Sequence, residues 1–208
     1  MHPWVCAPSA RCEVMKQREV PMNHYFRLTD NMRIRRRWHL RAPRDEQGRT
    51  VNPWQFFESR RLEPQGLILY PVNPTGQVLD FTLDSFAIPV VHARVVELFE
   101  HQRIQDVQFI PVQVEGHEGP YFILNTLRTL RCIDDARCEE VQYWKPEDER
   151  PDKEGQYRSV VGMRIDATKP GDAQIFRPWG WSVALIVSED LKDAMEAVGI
   201  TGTKFEEV

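Results

Sequence analysis

Few side chains in this sequence have the types and spacing that chemistry requires. Asn125 stands inside the apolar run from Tyr121 to Ile133 and is a candidate polar group of a site, although a buried Asn more often satisfies backbone groups beside it. His92 is a candidate general base, but its place at the start of an amphipathic segment favours a capping or surface role. Asp134 and Asp135 have the chemistry to hold a metal ion, yet Asp pairs after a strand are commonly turn residues. The cysteines Cys6, Cys12, Cys132 and Cys138 form two pairs, each spaced more widely than zinc ligands usually are, and no His follows His117. Free thiols are expected, with no cofactor and no metal. No G-x-S-x-G elbow, phosphate-binding glycine loop or H-E-x-x-H helix occurs. The residues therefore favour binding over catalysis.

Two kinds of side chain suit binding. Arg33, Arg35, Arg36 and Arg37 run into Trp38, a pattern in which Arg neutralises phosphate and Trp stacks on a base. A solvated basic face, or one paired with the chain's own acidic segment, explains it better. Of the tryptophans, Trp179 and Trp181 bracket Gly180 and read as core, while Trp144, ahead of an acidic run, stays open between core and surface.

The elements that would position these groups follow from periodicity. Leu67 to Tyr70, Val107 to Val114, Tyr121 to Ile133, Tyr157 to Ile165, Ala173 to Phe176, Ser182 to Val187 and Thr203 to Glu207 read as strands. Pro111 points to an edge or a bulge in the second of these. A helix is predicted from Val91 to Gln102, with Val95, Leu98 and Phe99 on one face. A second starts after Ser188, which caps it, and Glu189 and Asp190 complement its dipole. Leu191, Ala194, Met195 and Val198 form its stripe, and Gly199 stops it. Strands and helices do not alternate regularly, so the expected class is α+β, with a mostly antiparallel sheet and two or more packed helices. A shift of 96 residues aligns Val91 with Val187, Val95 with Leu191, Phe99 with Met195 and Phe109 with Phe205. Either a strand-helix-strand unit is duplicated, with both helices on one sheet, or two amphipathic helices agree by chance.

Bulk properties narrow the classes further. The chain has 208 residues, 41% of them hydrophobic and 28% charged, enough for one substantial core. A formal net charge of −4 argues against a dedicated nucleic-acid binder. No apolar run is long enough for a membrane helix or a signal sequence, so a cytoplasmic location and no membrane partner are expected. Residues 1–21 lack periodicity and read as an unstructured leader, either an ordinary tail or the result of a start assigned at Met1 instead of Met22. Residues 22–208 form the predicted domain, as one body or as two lobes over 22–115 and 116–208.

Several stretches then occur in a telling order. They are Tyr121-Phe122-Ile123-Leu124-Asn125, Cys132-Ile133-Asp134, Ile175-Phe176-Arg177, Ile186-Val187-Ser188-Glu189-Asp190-Leu191-Lys192 and Gly202-Thr203-Lys204-Phe205. Together they resemble the type-eleven immunity-protein domain of bacterial polymorphic toxin systems. The stretch from Glu139 to Asp148 is similar to a myxobacterial-type branch of that family. The resemblance spans Tyr25 to Val208, is strongest after Gly119 and leaves the first 21 residues outside. It implies a cytoplasmic antidote that binds a cognate protein toxin stoichiometrically, with no catalytic residues to transfer. The alternatives are an enzyme of unknown class and, more weakly, a nucleic-acid-associated regulator. On the antidote reading, Trp144, Glu147, Asp148 and Glu149 are the candidate toxin-binding residues. An acidic patch speeds encounter with a basic effector, and a neighbouring Trp supplies the desolvated anchor.

Overall fold

The computed structural model describes residues 24–208. Cys6, Cys12, the proposed leader and the predicted domain's first two residues, Met22 and Asn23, lie outside them. In chain order, β1 (Tyr25–Asp30), β2 (Ile68–Tyr70), β3 (Phe81–Leu83) and β4 (Pro89–His92) precede α1 (Ala93–His101). Next come β5 (Val107–Val114), β6 (His117–Thr126), β7 (Thr129–Leu130), β8 (Glu140–Tyr143), β9 (Tyr157–Val161), β10 (Ile175–Pro178) and β11 (Ile186–Ser188). Then α2 (Glu189–Ala197) leads to β12 (Thr203–Glu207). Among the described residues the protein is α+β, as its sequence predicts, and its core is mostly sheet.

One sheet has the order β12-β1-β11-β10-β7 and the other β2-β5-β6-β4-β3; β8 and β9 pair as a separate ribbon. Most pairings are antiparallel, but β2 runs parallel to β5 and β7 parallel to β10. The predicted long strand starts earlier, at His117, and breaks after Thr126, before the short β7. Pro111 is not on an edge strand. It pairs with Phe122 just before β2 joins the other side of β5 at Val112, and a register shift follows between Val112 and Val114. Its missing N–H thus costs no ladder bond.

A similar strand-helix-strand arrangement occurs in both large sheets. β4 and β5 lie antiparallel on either side of β6, and β11 and β12 lie antiparallel on either side of β1. Between each pair runs a helix, packed on β4 and β6 in one case and on β11 and β1 in the other. The helices therefore cover two sheets, not one, and meet each other. Val95, Leu98, Phe99, Leu191 and Met195 join Leu28, Leu124 and Val187 in a single apolar cluster. Both caps are as predicted: His92 Nδ1 accepts from the Arg94 N–H and Ser188 Oγ from the Leu191 N–H, each at 3.3 Å. Val198 ends the helix exposed, so the buried stripe is narrower than the apolar pattern.

A polar joint ties the sheets together. Asp80 Oδ2 accepts from the Thr201 N–H at 2.9 Å, the Thr201 hydroxyl at 2.7 Å and Arg94 Nη1 at 2.8 Å. Phe81 N–H donates to the Thr201 carbonyl at 3.0 Å and Asn31 N–H to that of Gly202 at 2.7 Å. Gly202 has φ of +94°, and an added Cβ would collide with the Phe81 carbonyl, so only glycine suits this close approach.

Candidate functional site

The arginines before Trp38 and its indole do not combine as the sequence pattern suggests, although Arg33, Arg35 and Arg36 are exposed. Trp38 is buried at 1% exposure, with its indole Nε1 donating to the Thr82 hydroxyl at 2.8 Å. It stacks edge-on with His117 and packs on Tyr121, so no face is left for a base. Arg37 is buried as well and pairs with Asp30 at 2.6 Å, not with the acidic segment after Asp134. Asn125 binds inward, donating to the Arg60 carbonyl at 2.9 Å and to Gln108 Oε1 at 3.1 Å. The Asp134 carbonyl closes a turn by accepting from the Arg137 N–H at 3.0 Å. Asp135 accepts from the hydroxyls of Tyr143 and Tyr157. Cys132 and Cys138 are free thiols, and burial, helped by Asp166, pushes Cys132 up to about 12.

Three loops instead converge on an open groove of about 740 Å³. The first is the 3-10 turn Pro53–Phe57. Asn52 caps it by accepting from the Trp54 N–H at 3.1 Å, and Pro53 fixes its first residue. The turn sends Phe56 and Phe57 into the interior and leaves Trp54 60% exposed, flanked by Phe57 and Phe86.

The second loop joins β8 to β9. Trp144 N–H donates to the Gln156 carbonyl at 2.9 Å, closing the loop's neck. A short 3-10 turn, Pro146–Asp148, follows. Asp148 Oδ2 accepts from the Lys145 N–H at 2.9 Å, and its Oδ1 pairs with Arg158 at 2.7 Å. Arg150 grips Asp152 with two bonds, at 3.0 and 2.8 Å. The cations of Arg158, Lys153 and Arg150 lie 5.3, 5.4 and 5.9 Å from the centroid of the Trp144 ring.

The third loop connects β10 to β11. Gly180, at φ of +75°, lets the chain turn beside Tyr157 and accepts the Tyr157 N–H at 3.2 Å, which docks the ribbon here. Trp181 and Val183 then form a wall of the groove. Trp179 and Trp181 are both half-buried and not core residues. Trp179 lies under Arg131, 3.3 Å from its guanidinium, and Trp181 packs only partly on the apolar cluster around Phe176. An indole tolerates a wet edge that an aliphatic core residue would not.

Beneath the groove lies Arg177, which the sequence reading does not single out. It is 0% exposed, and its guanidinium stacks 4.7 Å over Phe57. Nη1 donates to the carbonyl of Ser182, another groove residue, at 2.7 Å, while Nε and Nη2 have no partner among the described residues. Burial lowers its pKa to about 10, which leaves it charged at neutral pH. The candidate residues thus divide. Trp144 enters the groove, Asp148 is committed to Arg158 and the turn, and Glu147 and Glu149 stand exposed at the rim. A second pocket, about 280 Å³ between residues 45–51 and 62–68, lacks such anchors. Its Asp45 is occupied by the N–H groups of Gln47 and Arg49 and by the Arg49 guanidinium.

No helix among the described residues is long and apolar enough to cross a membrane. A protein-family model described as the immunity protein family, Imm11, matches residues 9–208. That match begins well ahead of Tyr25, inside the stretch set apart as a leader, so the similarity is longer than the motifs alone suggest. No curated protein matches the chain.

Proposed function

The chain belongs to the Imm11 immunity protein family, and from that premise we propose that it binds a cognate polymorphic toxin and neutralises it as a stoichiometric, non-catalytic antidote in the cytoplasm. The observation that carries this reading is the family match across residues 9–208, nearly the whole chain. The groove supplies a surface suited to the task. It is open, walled by Trp54, Trp144 and Trp181, and ringed by charge, the composition of a protein-binding hot spot with a polar rim.

On this proposal Trp144 is the anchor, Glu147 and Glu149 steer a basic toxin surface, and Asp148 holds the loop in shape through Arg158 and the Lys145 N–H. Its test is association with a candidate toxin, sought among the proteins encoded beside this one. Reversing Glu147 and Glu149 to Lys should leave the thermal midpoint in place, slow association and reduce its sensitivity to salt. Unchanged association and full protection of growth would remove this rim from the interface.

A further inference from the structure

The charge of the groove has the opposite sign to that of its rim. Arg150, Lys153 and Arg158 surround the Trp144 ring, and Arg177 lies under the floor between Phe57 and Ser182. Two of these four cations are already matched, Arg150 by Asp152 and Arg158 by Asp148. Lys153 makes no ion pair among the described residues, and Arg177 has no carboxylate beside it and two nitrogens without a partner. A guanidinium with no carboxylate beside it in a low-dielectric interior projects a positive potential past Phe57 and Ser182, the groove residues that it touches. The walls that receive this potential are aromatic, and Trp54 and Val183 stand 60% and 42% exposed.

We propose that this groove receives an acidic segment of the partner protein, in which one or two carboxylates flank a large apolar side chain. The apolar group seats among Trp54, Trp144 and Trp181. The carboxylates meet Lys153 directly and the field of Arg177 through the floor. Of the carboxylates that line the groove, Glu58 pairs with Arg60 and Asp152 with Arg150, so Lys153 and Arg177 are the two cations left without an ion pair, which suits a short acidic peptide and not a nucleic-acid strand, whose successive phosphates need a continuous basic track. That the partner is the toxin rests on the function proposed above; the chemistry of the bound segment does not.

The experiment pans a phage-displayed library of random peptides on the full chain at low salt, then measures the best synthetic peptide against three proteins. These are the wild type, Trp54→Ala and Lys153→Glu, each substitution at an accessible side chain and checked by its thermal midpoint. Enriched peptides should place Asp or Glu beside an aromatic or large aliphatic residue. Affinity should fall at least about tenfold in each variant and weaken as salt rises. No saturable peptide, basic or uncharged consensus sequences, or equal affinity for all three proteins would overturn the inference. So would tighter binding of a thymidine oligonucleotide, abolished by the same substitutions. The two variants are also tested for protection against the toxin. Full protection despite lost peptide binding would overturn the placing of the toxin here. No protection even by the wild type would sink the antidote reading instead, while the peptide result still decides the groove.

Discussion

Asp84 shows how much a single buried group can set. It is 7% exposed, and its Oδ1 accepts from the Phe86 N–H at 2.7 Å and the Ile88 N–H at 2.9 Å. Oδ2 and the Tyr70 hydroxyl form no close hydrogen bond, yet Tyr70 stands near enough to favour the Asp84 charge. Burial outweighs the two N–H groups and Tyr70 and raises the carboxyl from 3.8 to about 6. The folded state thus holds this proton more tightly than the unfolded one. Its contribution to stability is complete below about pH 3.8 and is lost as pH rises through about 6. Asp84→Asn keeps the Oδ1 acceptor and removes the charge. It should stabilise the protein at pH 7 by about 3 kcal/mol and leave it near wild type at pH 4, read from denaturant midpoints at both values. An equal loss of stability at both pH values would mean that geometry, not charge, governs this site.

At the same scale, what was legible in the sequence was local chemistry. Ser188 and His92 cap their helices because an N-cap needs only its own next turn. Trp38 was harder to read. Its arginine neighbours suggest a surface, but the Thr82 hydroxyl that satisfies its indole lies 44 residues away. Arg177 was invisible for the same reason, since an arginine reads as exposed unless its distant cover, here Phe57, is known.

Elements were legible where pattern alone defines them. β5 and β12 have their predicted bounds, and both helices lie where their apolar spacing puts them. β1, β3, β4 and β8 were not singled out, because three to six residues leave little periodicity and their partners are remote. β1, for instance, is flanked by β11 and β12 from the far end of the chain. The α2 stripe gives a direct test. Leu191 and Met195 are 1% and 0% exposed, so either one changed to Asp buries an unpaired charge and should cost several kcal/mol. Near-neutral stability in both variants would put the wrong face of α2 in the core. The turn after α2 gives a finer one. Gly199, at φ of +67°, has open space where a Cβ would go, whereas a Cβ on Gly202 would strike the Phe81 carbonyl. Gly199→Ala should cost about 1 kcal/mol of backbone strain, and Gly202→Ala clearly more. Equal costs would mean that the Gly202 joint yields easily.

For the whole molecule, the apolar cluster around α1 and α2 draws on both large sheets, and Asp80 fastens one to the other. We therefore expect residues 22–208 to unfold in one cooperative transition, with calorimetric and van't Hoff enthalpies in agreement. Two resolved transitions would divide the chain into independent lobes. The candidate interface was half legible at this scale. Trp144 and its acidic neighbours are contiguous in sequence, but Trp54, Trp181 and Arg177 join them only through three loops that the sheets bring together. The central claim is that this protein neutralises a toxin by binding it. The most direct measurement is light scattering on a size-exclusion column of the chain mixed with a candidate toxin encoded beside it, scored together with growth rescue on co-expression. The account predicts a complex of fixed stoichiometry and rescue that saturates once the antidote equals the toxin in amount. Rescue at far below equimolar antidote with no complex formed would contradict it.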